Sequence, residues 1–141
     1  MKRSEAAQLL LNAAGLGIKL HEWQRKFIDD QSRFRIVLKH RGAGATFTIA
    51  VETVTNSLLK PESTTILLSY SMRQSLEIFR HVKTLLTRLV NTSIKHAGKP
   101  IKIKCRIGER NAYIANGSRI ISLPNNPETL RGYRADAVYV D

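Results

Sequence analysis

The stretch Lys39-His40-Arg41-Gly42-Ala43-Gly44-Ala45-Thr46, KHRGAGAT, follows directly on the apolar run FRIVL of residues 34–38. Its layout is that of a phosphate-binding loop with one substitution. Such a loop needs backbone N–H groups free to face an anion, hence glycines. It also needs a helix N-terminus, whose dipole favours negative charge. Gly42 and Gly44 supply the first, and helical spacing from Thr46 onward supplies the second. Thr46 stands where the closing hydroxyl of such a loop meets Mg²⁺. The lysine that normally precedes that hydroxyl is replaced by Ala45. Lys39 at the loop's entry, or Arg41 inside it, can return the missing charge from the other side. A ligand-free strand-to-helix turn has the same local pattern, so the surroundings must decide.

Those surroundings alternate between helical and strand spacing. Residues 4–14 and 20–30 are expected as helices, with Ser4 as the first helix's N-cap and the GLG of 15–17 between them. FRIVLK, 34–39, has the character of a short buried strand leading into the loop. Residues 46–60 return to helical spacing, with Ile49, Val54, Leu58 and Leu59 apolar and Pro61 closing the run. TTILLSY, 64–70, is a second buried strand. In 71–90, Phe79, Val82, Leu86 and Leu89 form one stripe, while Arg73, Glu77, Arg80 and Arg88 lie off it. IKIKCRI (101–107), NAYIA (111–115) and SRIISLP (118–124) are further strands, with NGS at 116–118 as a hairpin turn. DAVYVD, 136–141, is a third buried strand that ends on an acid. Strands joined by helices imply parallel pairing and an α/β architecture, with the hairpin as an appendage. Residues 1–19 are expected as an N-terminal helical segment and 20–141 as one partial domain.

Composition narrows the partners. The 141 residues carry 23 Lys and Arg against 11 acids, a formal charge of +12. That excess costs self-repulsion, which a polyanion such as nucleic acid relieves. One cysteine, Cys105, excludes an internal disulfide and a cysteine zinc site and suits a reducing compartment. No apolar run approaches membrane-spanning length, and Glu5 and Asn12 interrupt the N-terminal one, so a cytoplasmic protein is expected. The four histidines show no metal-ligand spacing.

Three further segments bear on chemistry. The acid of DAVYVD, Asp141, sits where a Walker B aspartate orients the Mg²⁺ shell. In LHEWQRKFIDD a glutamine shortly before the loop, Gln24, can read an adenine edge through its amide, with Trp23 stacking or packing nearby. The bland alternative is an amphipathic helix with Trp23 and Phe27 in the core. In IKIKCRI the apolar Ile101, Ile103, Cys105 and Ile107 alternate with Lys102, Lys104 and Arg106. Together with Lys95, Lys99 and Arg110 these cations suit contact with phosphates, or a solvated sheet face.

The order LHEWQRKF, a deviant phosphate loop, TTILLSYSMRQSLEIFRHVK and GSRIISLPNNPETLRGYRADAVYVD resembles the N-terminal ATPase domain of phage terminase large subunits, the motors that package viral DNA. The likeness spans residues 20–141. It implies an incomplete P-loop NTPase of the ASCE type: a parallel sheet flanked by helices, binding ATP and Mg²⁺. Some terminases carry their loop lysine at the start of the loop, which maps onto Lys39. By the same match Arg41 is a loop arginine and joins Lys39 in a catalytic role. Gln24 contacts the base, Gly42, Ala43, Gly44 and Ala45 line the phosphates, and Thr46 and Asp141 hold the metal. Lys102, Lys104 and Arg106 are expected to face nucleic acid. The likeness further implies double-stranded DNA, a small terminase subunit and a portal as partners, a homo-oligomeric motor, and a catalytic Glu directly after Asp141. It also implies a later strand between the loop's strand and the Walker B strand. Without that strand the sheet is expected to have a gap and compromised packing. Two other readings share parts of the pattern: the first motor domain of a helicase, and a non-catalytic basic DNA-binding domain.

Overall fold

The computed structural model describes the chain except for residues 39–43, 93, 97, 125, 127, 129, 130 and 141. The chain is a mixed α/β protein, with helices against a five-stranded mixed sheet. Two helices open it, α1 (Arg3–Ala13) and α2 (Glu22–Asp29), followed after the glycine loop by α3 (Ala45–Leu59). Strand β1 (Thr64–Ser69) leads into the long helix α4 (Met72–Val90). A small ribbon, β2 (Ile94–His96) and β3 (Lys99–Ile101), precedes β4 (Cys105–Ile107), β5 (Asn111–Ile114), β6 (Arg119–Pro124) and β7 (Ala137–Val140).

The sheet order is β4-β5-β6-β1-β7. β6, β1 and β7 run parallel, with Leu67 opposite both Ser122 and Tyr139. β4 and β5 extend the sheet antiparallel beyond β6, so the sheet is mixed and not wholly parallel, and the hairpin expected as an appendage supplies its middle strand, β6. The hairpin turn falls where NGS lies, with Gly117 at φ 91°, a conformation that disfavours a side chain. Alternation sends Leu67, Ala112, Ile114, Ile120 and Tyr139 into the helix-facing core, and Ile66, Leu68 and Ile121 to the other face. On α4 the expected stripe is the buried one: Phe79, Val82, Leu86 and Leu89 are at most 1% exposed. Its N-cap is Ser71, whose hydroxyl accepts the Gln74 N–H.

α3 departs from the expected stripe. It runs between α1, α4 and β1, so residues 50–55 are buried on every side while Leu59 is exposed. α1 packs into the same core through Ala7 and Leu11, joined by its C-cap Ala14. Its N-cap is Lys2, not Ser4. Ser4 lies within the first turn and gives both its N–H and its hydroxyl to Asp29, at 2.8 and 2.6 Å. The carboxylate of α2 therefore satisfies the donors that a local cap would otherwise serve.

Two expected strands are different. IKIKCRI is split: Lys99–Ile101 pairs in the ribbon, Cys105–Ile107 pairs with β5, and 102–104 belong to neither. FRIVLK forms no strand among its described residues, and Phe34, Ile36 and Leu38 are 83, 93 and 97% exposed. A strand needs a neighbour for its ladder, and among the described residues the sheet ends at β7. For the same reason β7 is an edge strand, with Val138 and Val140 exposed. A groove of about 1040 Å³ lies beside β7, bordered by α3 and by residues from 30–37.

Candidate nucleotide site and basic face

α3 begins at Gly44, which adopts φ 83° and serves as N-cap. A Cβ at this position would be conformationally strained and would lie 3.3 Å from Gln24 Nε2. Gln24 is buried. Its carbonyl oxygen accepts the His21 N–H at 2.8 Å, and its amide donates to Thr48 Oγ1 at 2.7 Å. Thr48 in turn donates to the Gly44 carbonyl at 2.8 Å. α2 is thereby tied to the last residue of the glycine loop. Gln24 thus stands beside Gly44, with its carbonyl oxygen engaged by the His21 N–H and its amide by Thr48. Ala45 is buried, and Thr46 sits half-buried in the first turn. That turn carries no acid, so no carboxylate of its own neutralises the positive end of the helix dipole. Lys39, Arg41, Gly42, Ala43 and Asp141 lie outside the described residues.

The groove relates this helix to β7. At one end Lys60, just beyond α3, meets Asp136 at 2.9 Å, and Asp136 also accepts the Thr64 N–H. At mid-helix Glu52, fully buried, accepts the Tyr139 hydroxyl at 2.8 Å. Ala45 and Val140 both line the same groove. α3 therefore runs antiparallel to β7, which puts its N-terminus at the end where the parallel strands finish. In open α/β sheets ligands lie outside those strand ends.

Glu52 also receives Arg35, at 2.9 and 3.1 Å from its two oxygens. Arg35 donates to the Phe27 carbonyl at 2.7 Å and lies 4.3 Å from the Phe27 ring centre. Burial works against the guanidinium charge, but the hydrogen bonds to Glu52 and its carboxylate outweigh it and raise the Arg35 pKa. Burial first, then the Glu52 carboxylate, push the Tyr139 hydroxyl well above its ordinary value. One buried acid thus joins the segment before the loop, the helix after it and strand β7. This cluster was not singled out from the sequence. Its signal was there: Arg35 inside FRIVL, Glu52 inside AVETV and Tyr139 inside AVYV are each polar groups in apolar runs. Trp23 and Phe27, placed in the core by the bland alternative, line the groove half-buried, and Gln24 and Ile28 point inward instead.

Lys102, Lys104 and Arg106 are all exposed, opposite in phase to buried Ile103 and half-buried Cys105. The expected alternation holds from 102 to 107, but Ile101, placed with the buried set, is 44% exposed. Burial pushes the Cys105 thiol above its ordinary pKa, which makes it a poor nucleophile. Burial, then nearby Arg80, lowers the His81 pKa and favours the neutral ring beside Phe47. Among the described residues no group of three or more His, Cys, Asp or Glu gathers to hold a metal, and no helix is long and apolar enough to cross a membrane. No family model matches the chain, and no curated protein matches it either.

Proposed function

We propose that this chain is a P-loop nucleotide-binding domain of a DNA-translocating motor, of the kind found in terminase large subunits. The observation that supports it most is the shared end of the groove. The acid-free N-terminus of α3, with Gly44 in the left-handed region, lies where β7 runs toward Asp141. A triphosphate there would meet backbone N–H groups and a helix dipole, and the Thr46 hydroxyl would stand beside its Mg²⁺. Bound Mg-ATP would supply the cleavable phosphoanhydride. The chain's own residues would position it: Lys39 and Arg41 by charge, Gly42 to Ala45 by backbone, Thr46 and Asp141 at the metal. Gln24 would hold the loop's end and stand near the base. The charge of +12 and exposed Lys102, Lys104 and Arg106 fit a double-stranded DNA track. A small subunit and a portal are the partners such a motor would have.

The test is a titration with a fluorescent ATP analogue and Mg²⁺. Lys39→Ala should abolish binding, and unchanged affinity would sink the role assigned to that lysine. A second reading, a non-catalytic basic DNA-binding domain, draws on the absence of a strand at 34–38. Salt-dependent DNA binding with no response to Mg-ATP would favour it.

A further inference from the structure

We infer that the sheet face carrying Arg106, Tyr113, Arg119 and Tyr133 docks single-stranded nucleic acid, with unpaired bases stacking on the two tyrosine rings. The strand registers build this face. Arg106 on β4 is directly opposite Tyr113 on β5, and Tyr113 is directly opposite Arg119 on β6. Residues opposed in this way share one side of a sheet, so three strands present a cation, a ring and a cation in a row about 10 Å long. The Arg106 guanidinium lies 5.7 Å from the Tyr113 ring centre, and Arg119 lies 5.9 Å from the ring of Tyr133, which follows on the loop before β7. The row therefore alternates arginine and tyrosine through four residues.

Buried Ala112 and Ile114 show that the helices cover the opposite side of β5. Tyr113 and Tyr133 remain 41% and 39% exposed, which is much for rings of that size. Arg119 is oriented by its Nε–H bond to Thr64 Oγ1 at 3.0 Å. Lys102 and Lys104, shortly before Arg106 in the chain, and Arg131 and Arg134, on either side of Tyr133, are exposed. Of the acids close in the chain, Glu109 and Glu128 are exposed, and Asp136 is engaged by Lys60. The field is thus set for an anion, and the rings select its kind. A duplex hides its base faces and uses only the cations. An unpaired strand offers both phosphates and flat faces, which stack on tyrosine and on arginine planes with little regard to sequence.

This site shares no residue with the glycine loop, so it is tested without nucleotide, and failure of ATP binding leaves it standing. Labelled oligo(dT), oligo(U) and a duplex of equal length are titrated by fluorescence anisotropy across a salt series. Tyr113→Leu and Tyr133→Leu should each weaken single-strand binding by about tenfold while changing duplex affinity by less than about twofold. Tyr113→Phe should retain wild-type binding. Arg106→Gln should reduce the salt slope by about one. Tighter binding of oligo(dT) or of oligo(U) supports the proposal and identifies the strand as DNA or RNA. Undiminished single-strand affinity in the double leucine variant, equal losses on duplex and single strand, or no single-strand binding at low salt would overturn it.

Discussion

Replacing Arg35 with methionine removes the only guanidinium that faces Glu52 among the described contacts. Two hydrogen bonds, at 2.9 and 3.1 Å, disappear from a carboxylate with no solvent exposure. The donor to the Phe27 carbonyl and the cation over the Phe27 ring go with them. Glu52 keeps the Tyr139 hydroxyl, which cannot neutralise a charge. Breaking a buried pair in this way costs about 3–5 kcal/mol, chiefly because the remaining charge is left uncompensated. Domains of ordinary stability hold about 5–15 kcal/mol, so the variant should lie near its unfolding threshold at room temperature. Urea unfolding, followed by helix circular dichroism and by the fluorescence of Trp23, measures the difference by linear extrapolation. The triple variant Arg35→Met/Glu52→Leu/Tyr139→Phe removes every polar member together and should recover all but about 2 kcal/mol. A cost below about 1 kcal/mol for Arg35→Met would mean that water reaches Glu52 as soon as the arginine leaves. A triple variant as unstable as the single one would place the loss in packing. Either result refutes the electrostatic argument.

Asp29→Ala should cost about 1 kcal/mol at neutral pH, since Asp29 serves the first-turn donors of α1. Burial opposes the Asp29 charge, but the Ser4 hydroxyl and N–H outweigh it and lower its pKa. Its contribution is therefore complete above the ordinary value of 3.8 and is lost as the pH falls through the lower folded value, so wild type and variant should converge in acid. Gly44→Ala should destabilise by about 1 kcal/mol, measured by urea unfolding, because φ 83° strains an L-residue. Gln24→Leu leaves the His21 N–H without its acceptor and should cost about 1–3 kcal/mol by the same measurement.

The elements that were legible in the sequence are those whose pattern and partners agree locally. α4 shows its stripe because one face meets the sheet, and the β5–β6 hairpin is announced by NGS and completed by adjacent strands. The strands β1 and β7 were readable from their apolar runs, and their parallel pairing from the alternation of strands with helices. What the sequence could not convey depended on distant neighbours. FRIVL has strand composition, but a strand also needs a ladder with another backbone, and among the described residues 34–38 make none, lying across the groove from β7 instead. Ser4 resembles a cap, yet a carboxylate 25 residues away takes its donors. For the candidate site, the position of Gly44, Ala45 and Thr46 at a helix start was readable, because the glycines are followed directly by helical spacing, although the strand expected before them is absent among the described residues. The engagement of Gln24 by His21 and Thr48 was not, since it depends on how α2 and α3 cross.

The free edge of β7 has a consequence for how the protein behaves in bulk solution. Among the described residues Val138 and Val140 lie open on the outer strand of the sheet, Phe34 is open across the groove, and Ile36 and Leu38 of the same segment are exposed. Each molecule therefore carries both a template for a β-strand and an apolar segment able to settle on one, the pairing that seeds aggregates. What keeps two copies apart is the charge of +12 on each. That repulsion reaches about 8 Å at physiological ionic strength and about 3 Å in molar salt. The usual expectation for a basic protein, that salt keeps it dispersed, is thereby inverted: added salt removes the barrier between sticky edges. Colloidal stability belongs to dilute buffer.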